Sequence, residues 1–344
     1  LMSKAIDQIR KKGSKITEKE AEAVCVAILL HDIGHGPFSH ALEKSIATNI
    51  NHEMLSLLFM QELNKQFHGK LSLAIQIFKD EYKKRFLHQL VSSQLDMDRL
   101  DYLKRDSFYS GVQEGVIGTE RIINMLNVVD DNLVIEEKGI YSIEKFLIAR
   151  KLMYWQVYLH KTVLSAENTL IKILKRAKEL IQDGTDIFSP PTLLLFLKNK
   201  FSKKDFDRNA DLLYQFSQLD DYDIYTCLKQ WINHEDFVLS SLSGRIIHRR
   251  LLKVKVQNKP FSKKVILDKK KTIMQKHNLS QKLAGYLVFS DIVTNNACNS
   301  GTSKINILMK DGCVKEIKKA SDQLSNNIIT KKVKKFFLCY PEEK

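Results

Sequence analysis

The apolar positions recur with helical spacing from Met2 to Gly184, then give way beyond Ser189-Pro190-Pro191 to further helices and to β-type segments. Leu1 to Lys12 reads as a helix closed by Gly13. Thr17-Glu18-Lys19-Glu20 is a capping box, with Ile16 placed to staple onto the first turn of the helix it opens. That helix, AEAVCVAILLHD, is apolar nearly all round and is therefore expected to be buried. Gly34, Gly36 and Pro37 break it, and a further helix carrying His40 and Glu43 is expected to start at Pro37. SSQLDMDRLDYLKRD predicts a helix capped by Ser93, LVIEE-KG-IYS a hairpin around Gly139, and Ser142 the cap of a long helical stretch ending near Gly184. After the proline pair, YLVFSDIV, INILM, CVKEI and FFLCY predict strands, INILM and CVKEI being joined by an Asp311-Gly312 turn. The expected fold class is mainly α: a helical domain over residues 1–185, then a smaller α+β region over residues 186–344.

Composition narrows this picture in three ways. No apolar run approaches the roughly 20 residues that a membrane span requires, and no signal peptide is visible, so a cytoplasmic protein without membrane contact is expected. The five cysteines are dispersed and odd in number, without a C-x-x-C, which fits a reducing compartment and excludes a cysteine-built zinc site. A net charge of +15 implies attraction to polyanions, leaving nucleotides, nucleic acid and membrane surfaces open. Lys263-Lys264, Lys269-Lys270-Lys271 and Lys331-Lys332 concentrate that charge late in the chain, where solvated faces account for it equally well. The sequence begins with Leu1, inside a helix, and reads as a fragment missing its start.

The chemistry concentrates in LLHDIGHGPFSH, residues 29–40. His31 and Asp32 sit where the helix breaks, so both side chains can face one cavity. An imidazole and a carboxylate make a mixed N/O half-site suited to Fe, Mn, Zn, Ni or Co rather than to Ca. A bare His-Asp pair is also compatible with a plain helix end. Its neighbourhood adds His35, His40, Glu43 and then His52-Glu53. Asp98, Tyr102 and Asp106 fall at i, i+4 and i+8 on a second helix, flanked by Arg99 and Arg105. Arg150, Tyr154 and Tyr158 repeat the spacing on a third; arginine forks bind phosphate oxygens bidentately, and tyrosine rings stack on or hydrogen-bond a nucleoside. A solvated acidic face and a core tyrosine stripe are the plainer readings of these two helices. Together the three surfaces describe a metal, general acids and phosphate clamps, which is the equipment of phosphoester chemistry.

HDIGHGPFSHALE, NHEMLS, LDMDRLDYLKRDSFYSGV and the LHK after Tyr158 resemble the HD-domain phosphohydrolases. They are most similar to the deoxynucleoside triphosphate triphosphohydrolases, both dGTPase-like and of the sterile-alpha-motif and HD-domain kind. The resemblance implies His31, Asp32 and Asp98 as ligands of a divalent transition metal, with Mg expected on the substrate phosphates. It implies His40 as the acid that protonates the leaving 5′-oxygen, supported by Glu43, His52 and Glu53, and His35 as a contact of the α-phosphate. Arg99, Tyr102 and Arg150 would bind phosphates, Asp106 would read the sugar 3′-hydroxyl, and Tyr158 would lie beside the nucleoside. The family carries one more metal-binding His upstream of the pair, a position the sequence does not include. Tyr154 stands where relatives carry His. The implied reaction releases nucleoside and tripolyphosphate from a nucleoside triphosphate, and the implied assembly is a homo-dimer or tetramer. Another HD phosphatase or phosphodiesterase, or a catalytically impaired nucleotide sensor or nucleic-acid-binding homologue, are the alternatives.

Overall fold

The computed structural model describes residues 1–43, 50–295, 304–323 and 333–342, except for the side chains of His40 and Asn295. Helices dominate, as the apolar spacing predicts. The strands are short: β1 (Leu126–Val129), β2 (Asn132–Glu136), β3 (Lys253–Gln257), β4 (Phe289–Asn295), β5 (Asn306–Leu308), β6 (Val314–Glu316) and β7 (Val333–Tyr340). The chain gathers into two compact units, each built from separated segments. One comprises Leu1–Asp32, Met60–Tyr158 and Asn295–Val333; the other comprises Ile33–Phe59, Leu159–Thr294 and Lys334–Lys344. The expected boundary near residue 185 falls inside the second.

In the first unit, the Met2–Lys11 helix and the Glu18–Leu30 helix bury Ile6, Ile9, Val24 and Ala27 in a core shared with Phe86, Leu100 and Phe146. The capping box forms: Glu20 N–H donates to Thr17 Oγ1 at 3.2 Å, and Thr17 N–H donates back to the Glu20 carboxylate at 2.8 Å. Glu20 also accepts from Tyr82 Oη at 2.6 Å and Lys84 Nζ at 2.8 Å while almost fully buried, so the cap doubles as a tie to a distant segment. The helix is not apolar-buried all round, because Leu29 is 77% exposed.

Four boundaries differ from expectation. The hairpin turns at Asp130-Asp131, not at Gly139, and joins β1 to β2. Both aspartates adopt positive φ, which Asp tolerates and a tight hairpin demands. Gly139 instead ends a single 3-10 turn, where a Cβ would come within 2.6 Å of Ile135 Cγ2. The Met97–Ser110 helix is capped by Asp96 rather than Ser93, because the Asp96 carboxylate accepts from Arg99 N–H at 2.7 Å. The long stretch after residue 139 is two helices: Ile140–Met153 continues into a π turn over Tyr154–Tyr158, and His160 caps Lys161–Gln182. The helix expected at Pro37 spans only His40–Glu43 among the described residues, since Phe38 and Ser39 take left-handed φ angles.

β5 and β6 pair through the Asp311-Gly312 turn as expected. β5 also lies parallel to β2, giving a sheet of order β1-β2-β5-β6 on the first unit. In the second unit, the Lys161–Gln182 helix packs on the Phe237–Ile247 helix, which packs on Asp221–Trp231. A three-stranded sheet of order β3-β7-β4 completes it. Tyr286 and Leu287, expected in a strand, close the Gln281–Leu287 helix, and β4 starts after them.

The Glu20 network generates a stability prediction. Burial opposes its ionisation, but Lys84, Tyr82 and the Thr17 N–H outweigh burial and bring its pKa down to about 2. A depressed folded pKa stabilises at pH above the ordinary carboxylate value and loses that contribution as pH falls towards 2. Glu20→Gln is therefore expected to cost about 1–3 kcal/mol at pH 7. In denaturant melts at successive pH values, the gap between the two proteins should close below pH 4. A gap independent of pH would show that the charge on Glu20 contributes nothing.

Candidate metal and phosphate site

His31 follows the Glu18–Leu30 helix in helical conformation, φ −60° and ψ −30°, so its ring stays against the last turn. Its Nδ1 donates to the Ile28 carbonyl at 2.7 Å, which fixes the ring and leaves Nε2 to face outward. Nε2 lies 3.4 Å from Asp32 Oδ2 and 3.7 Å from Asp98 Oδ2. Asp98 is held there by the first turn of the Met97–Ser110 helix, whose cap Asp96 also accepts from Ser93 N–H at 2.8 Å. Two donors bound tetrahedrally at about 2.1 Å from one ion stand roughly 3.4 Å apart, so each of these two spacings, taken singly, suits a pair of donors on one ion. A backbone carbonyl behind the ring is also the usual orienting partner of a metal-binding histidine.

The electrostatics agree with the geometry. Burial disfavours the charged His31 ring, but Asp98 and Asp32 outweigh it and raise the pKa to about 9. Burial likewise opposes ionisation of Asp98, yet His31 and Arg99 hold that carboxyl below its ordinary value. A proton on Nε2 thus stands where a metal cation would, between the same carboxylates.

The Met97–Ser110 and Ile140–Met153 helices bring the expected phosphate and sugar residues into the same unit. The Arg99 guanidinium pairs with the buried carboxylate of Asp96. Arg150 is 4% exposed and donates one N–H to Gln94 Oε1 at 3.1 Å. The Nε–H groups of both arginines are buried without an acceptor. No carboxylate pairs with Arg150 among the described residues, so this buried cation lacks a compensating anion. Tyr158 Oη donates to Asp106 Oδ2 at 2.7 Å, and the Tyr102 and Tyr154 rings stand edge-on to Tyr158 at 6.2 and 5.3 Å. Burial raises the Tyr102 hydroxyl to about 12, and burial with Asp106 drives Tyr158 far upward, so both stay protonated donors. Asp101 is instead an exposed partner of Arg105, at 2.6 Å, on the solvated side of that helix.

The remaining expected residues belong to the second unit, which takes up the chain at Ile33. Gly34 packs where a Cβ would meet His52 O at 2.3 Å, and its N–H donates to Ser56 Oγ at 2.9 Å. This close approach lays the His35 ring on His52, centroids 4.0 Å apart and 15° from parallel. Glu43 accepts from both the backbone N–H and Nδ1 of His52, each at 2.8 Å. Glu53 is exposed in the first turn of the His52–Gln66 helix and makes none of these contacts. The side chain of His40 lies outside the described residues. Asp96 and Gln94, which hold Arg99 and Arg150, are additions from the structure. The signal for Asp96 was an Asp three residues ahead of Arg99, overshadowed by Ser93.

Residues 3–106 match the HD domain and residues 117–189 match the HD associated region. A phosphohydrolase of Bacteroides thetaiotaomicron, known from a crystal structure, is 54% identical with a TM-score of 0.94, covering 99% of this chain and 85% of that one. The uncharacterized protein YwfO of Bacillus subtilis is 34% identical over 259 residues, 73% of this chain and 57% of its own length. The deoxynucleoside triphosphate triphosphohydrolase SAMHD1 homologue of Dictyostelium discoideum is 29% identical over 210 residues, 55% of this chain and 40% of its own. The chain thus spans about half the length of these curated relatives. No helix among the described residues is long and apolar enough to cross a membrane. With an HD-domain match over the segment that carries His31, Asp32 and Asp98, and a close structural likeness to a phosphohydrolase along nearly its whole length, the chain belongs to the HD-domain phosphohydrolase superfamily.

Proposed function

We propose that the protein hydrolyses deoxynucleoside triphosphates at the α-phosphorus, releasing nucleoside and tripolyphosphate. The observation that carries this reading is His31 Nε2 lying 3.4 and 3.7 Å from two carboxylates, on the unit that also buries the uncompensated Arg150. A triphosphate supplies the missing anion, and the triphosphohydrolase relatives supply the substrate class. His31, Asp32 and Asp98 would hold a divalent ion, which supplies Lewis acidity at the phosphoryl group and lowers the pKa of a water. Arg150 and Arg99 direct N–H groups to the phosphate oxygens and keep the chain in line for attack. Asp106, aligned by Tyr158, accepts from the sugar 3′-hydroxyl. Attack of water at the α-phosphorus breaks the bond to O5′, and His40, as the sequence motif suggests, donates the proton that this oxygen takes. His35, Glu43, His52 and Glu53 support that acid in the same reading. Removing His40 should then cost about 10²–10⁴-fold in rate. The active form is proposed to be a homo-dimer or tetramer, with a monomer mass in light scattering as the contrary result.

Product analysis tests the reaction class. Incubation with dGTP or dATP and Mn²⁺ should give intact tripolyphosphate in the ³¹P spectrum, whereas orthophosphate or pyrophosphate would indicate another phosphatase chemistry. Asp98→Ala should abolish turnover without loss of helical signal in far-UV circular dichroism.

Arg150→Met separates function from stability. It should lower kcat/KM by about 10²–10³-fold, yet leave the melting temperature unchanged or raised, because a buried cation without an anion costs stability. A large fall in melting temperature would show that Arg150 is a structural residue.

Metal uptake should depend on pH. His31 must shed its Nε2 proton to bind, and that proton is held up to about pH 9. Calorimetry with Mn²⁺ is therefore expected to show about one proton released per ion at pH 7 and an affinity that rises with pH until about 9. A pH-independent affinity between 7 and 9 would contradict this ligand set.

A further inference from the structure

We propose that Asp221 and Tyr225 are positioning residues for the loop that carries His35 and leads into His40; this rests on the reaction proposed above, which draws a phosphate contact and its acid from those two histidines. Loop and helix both belong to the second unit. The loop needs support from outside because its backbone is strained: Phe38 and Ser39 are consecutive non-glycine residues at φ 51° and 47°. Such a conformation persists only where the surrounding structure enforces it. Inside the loop, Ser39 N–H donates to the Gly36 carbonyl at 2.9 Å and Ala41 N–H to the Phe38 carbonyl at 3.1 Å. These bonds close the turn but do not fasten it to anything else.

Two side chains of the Asp221–Trp231 helix grip the strained turn. Phe38 N–H donates to Asp221 Oδ1 at 2.9 Å. The Phe38 ring packs edge-on to Tyr225, centroids 5.4 Å apart and planes at 62°. Asp221 and Tyr225 stand at i and i+4, so one helix face makes both contacts. Asp220 fixes the start of that helix by accepting from Tyr222 N–H at 2.8 Å and Asp223 N–H at 3.2 Å, which sets Asp221 opposite the loop. A further contact sets the depth of the loop: a Cβ on Gly36 would come within 2.9 Å of Phe216 Cζ. Phe216 itself packs on Phe196 and Phe206, centroids 5.7 and 6.0 Å away. Phe216 is core, whereas Asp221 and Tyr225 are exposed, so replacing them opens no cavity. Their grip falls on Phe38, between the two histidines, where slack in the backbone would reach both.

Asp221→Ala removes the acceptor and Tyr225→Leu removes the ring. Each should lower kcat for dATP by roughly 10–10²-fold, while KM and Mn²⁺ affinity stay at the parent values. As surface substitutions, both should move the melting temperature by no more than a few degrees. Asp221→Asn keeps an accepting oxygen and Tyr225→Phe keeps the ring, so each should hold kcat within about threefold of the parent. If Asp221 served only the helix dipole, Asp221→Asn would be as impaired as Asp221→Ala, since both lose the charge. Hydrogen exchange read by mass spectrometry follows the loop without turnover. The Phe38 amide, in peptides spanning residues 35–42, should exchange about tenfold or more faster in Asp221→Ala but not in Asp221→Asn. Exchange across the Glu18–Leu30 helix should not change. A parent protein that releases no tripolyphosphate yet gives this exchange pattern would refute the reaction and leave the grip on the loop standing. Unchanged exchange, unchanged kcat in both Asp221→Ala and Tyr225→Leu, an Asp221→Asn as slow as Asp221→Ala, or a loss of activity matched by a loss of folded protein would overturn the proposal.

Discussion

Two carboxylates close to one imidazole in a half-buried place require a positive charge among them. In this protein the constraint is met by His31, 3.4 Å from Asp32 and 3.7 Å from Asp98. Without a metal, the ring keeps its proton to about pH 9 and the three groups share one charge. With a metal, the proton leaves and the ion takes its place. Site and fold are coupled through this exchange, because the carboxylates sit at opposite ends of helical segments that pack in one core.

That packing explains why the residues arrive in register. The Glu18–Leu30 helix is fastened at its start by Glu20, tied to Thr17, Tyr82 and Lys84, so its far end delivers His31 at a set height. The Met97–Ser110 helix starts where Asp96 caps it, two residues before Asp98, which holds Asp98 in an ordered first turn. Asp96 also neutralises Arg99, whereas Arg150 is buried and, among the described residues, hydrogen-bonds to the neutral Gln94. The difference assigns the two arginines different electrostatic states: one is compensated by the fold, the other waits for an anion.

Local signals in the chain were readable wherever a side chain bonds to its own backbone neighbours. The Thr17–Glu20 box and the Asp311-Gly312 turn are of that kind, and both form as expected. The Asp130-Asp131 turn was obscured because Lys138-Gly139 looked the better turn; the glycine is there for close packing against Ile135. The π turn at Tyr154–Tyr158 and the parallel pairing of β2 with β5 have no local signature, since both depend on contacts between distant segments. At the site, the His-Asp pair and the Asp98 helix stood out by residue type and spacing. Asp96 and Gln94 did not, because a residue that acts by holding another one leaves no chemical pattern of its own.

The central claim is that His31, Asp32 and Asp98 form one divalent-metal site. Anomalous diffraction from crystals soaked in Mn²⁺ addresses it most directly. The account predicts a peak within about 2.0–2.3 Å of His31 Nε2 and of a carboxylate oxygen from each of Asp32 and Asp98. An ion bound elsewhere, with His31 still bridging the two carboxylates, would contradict it.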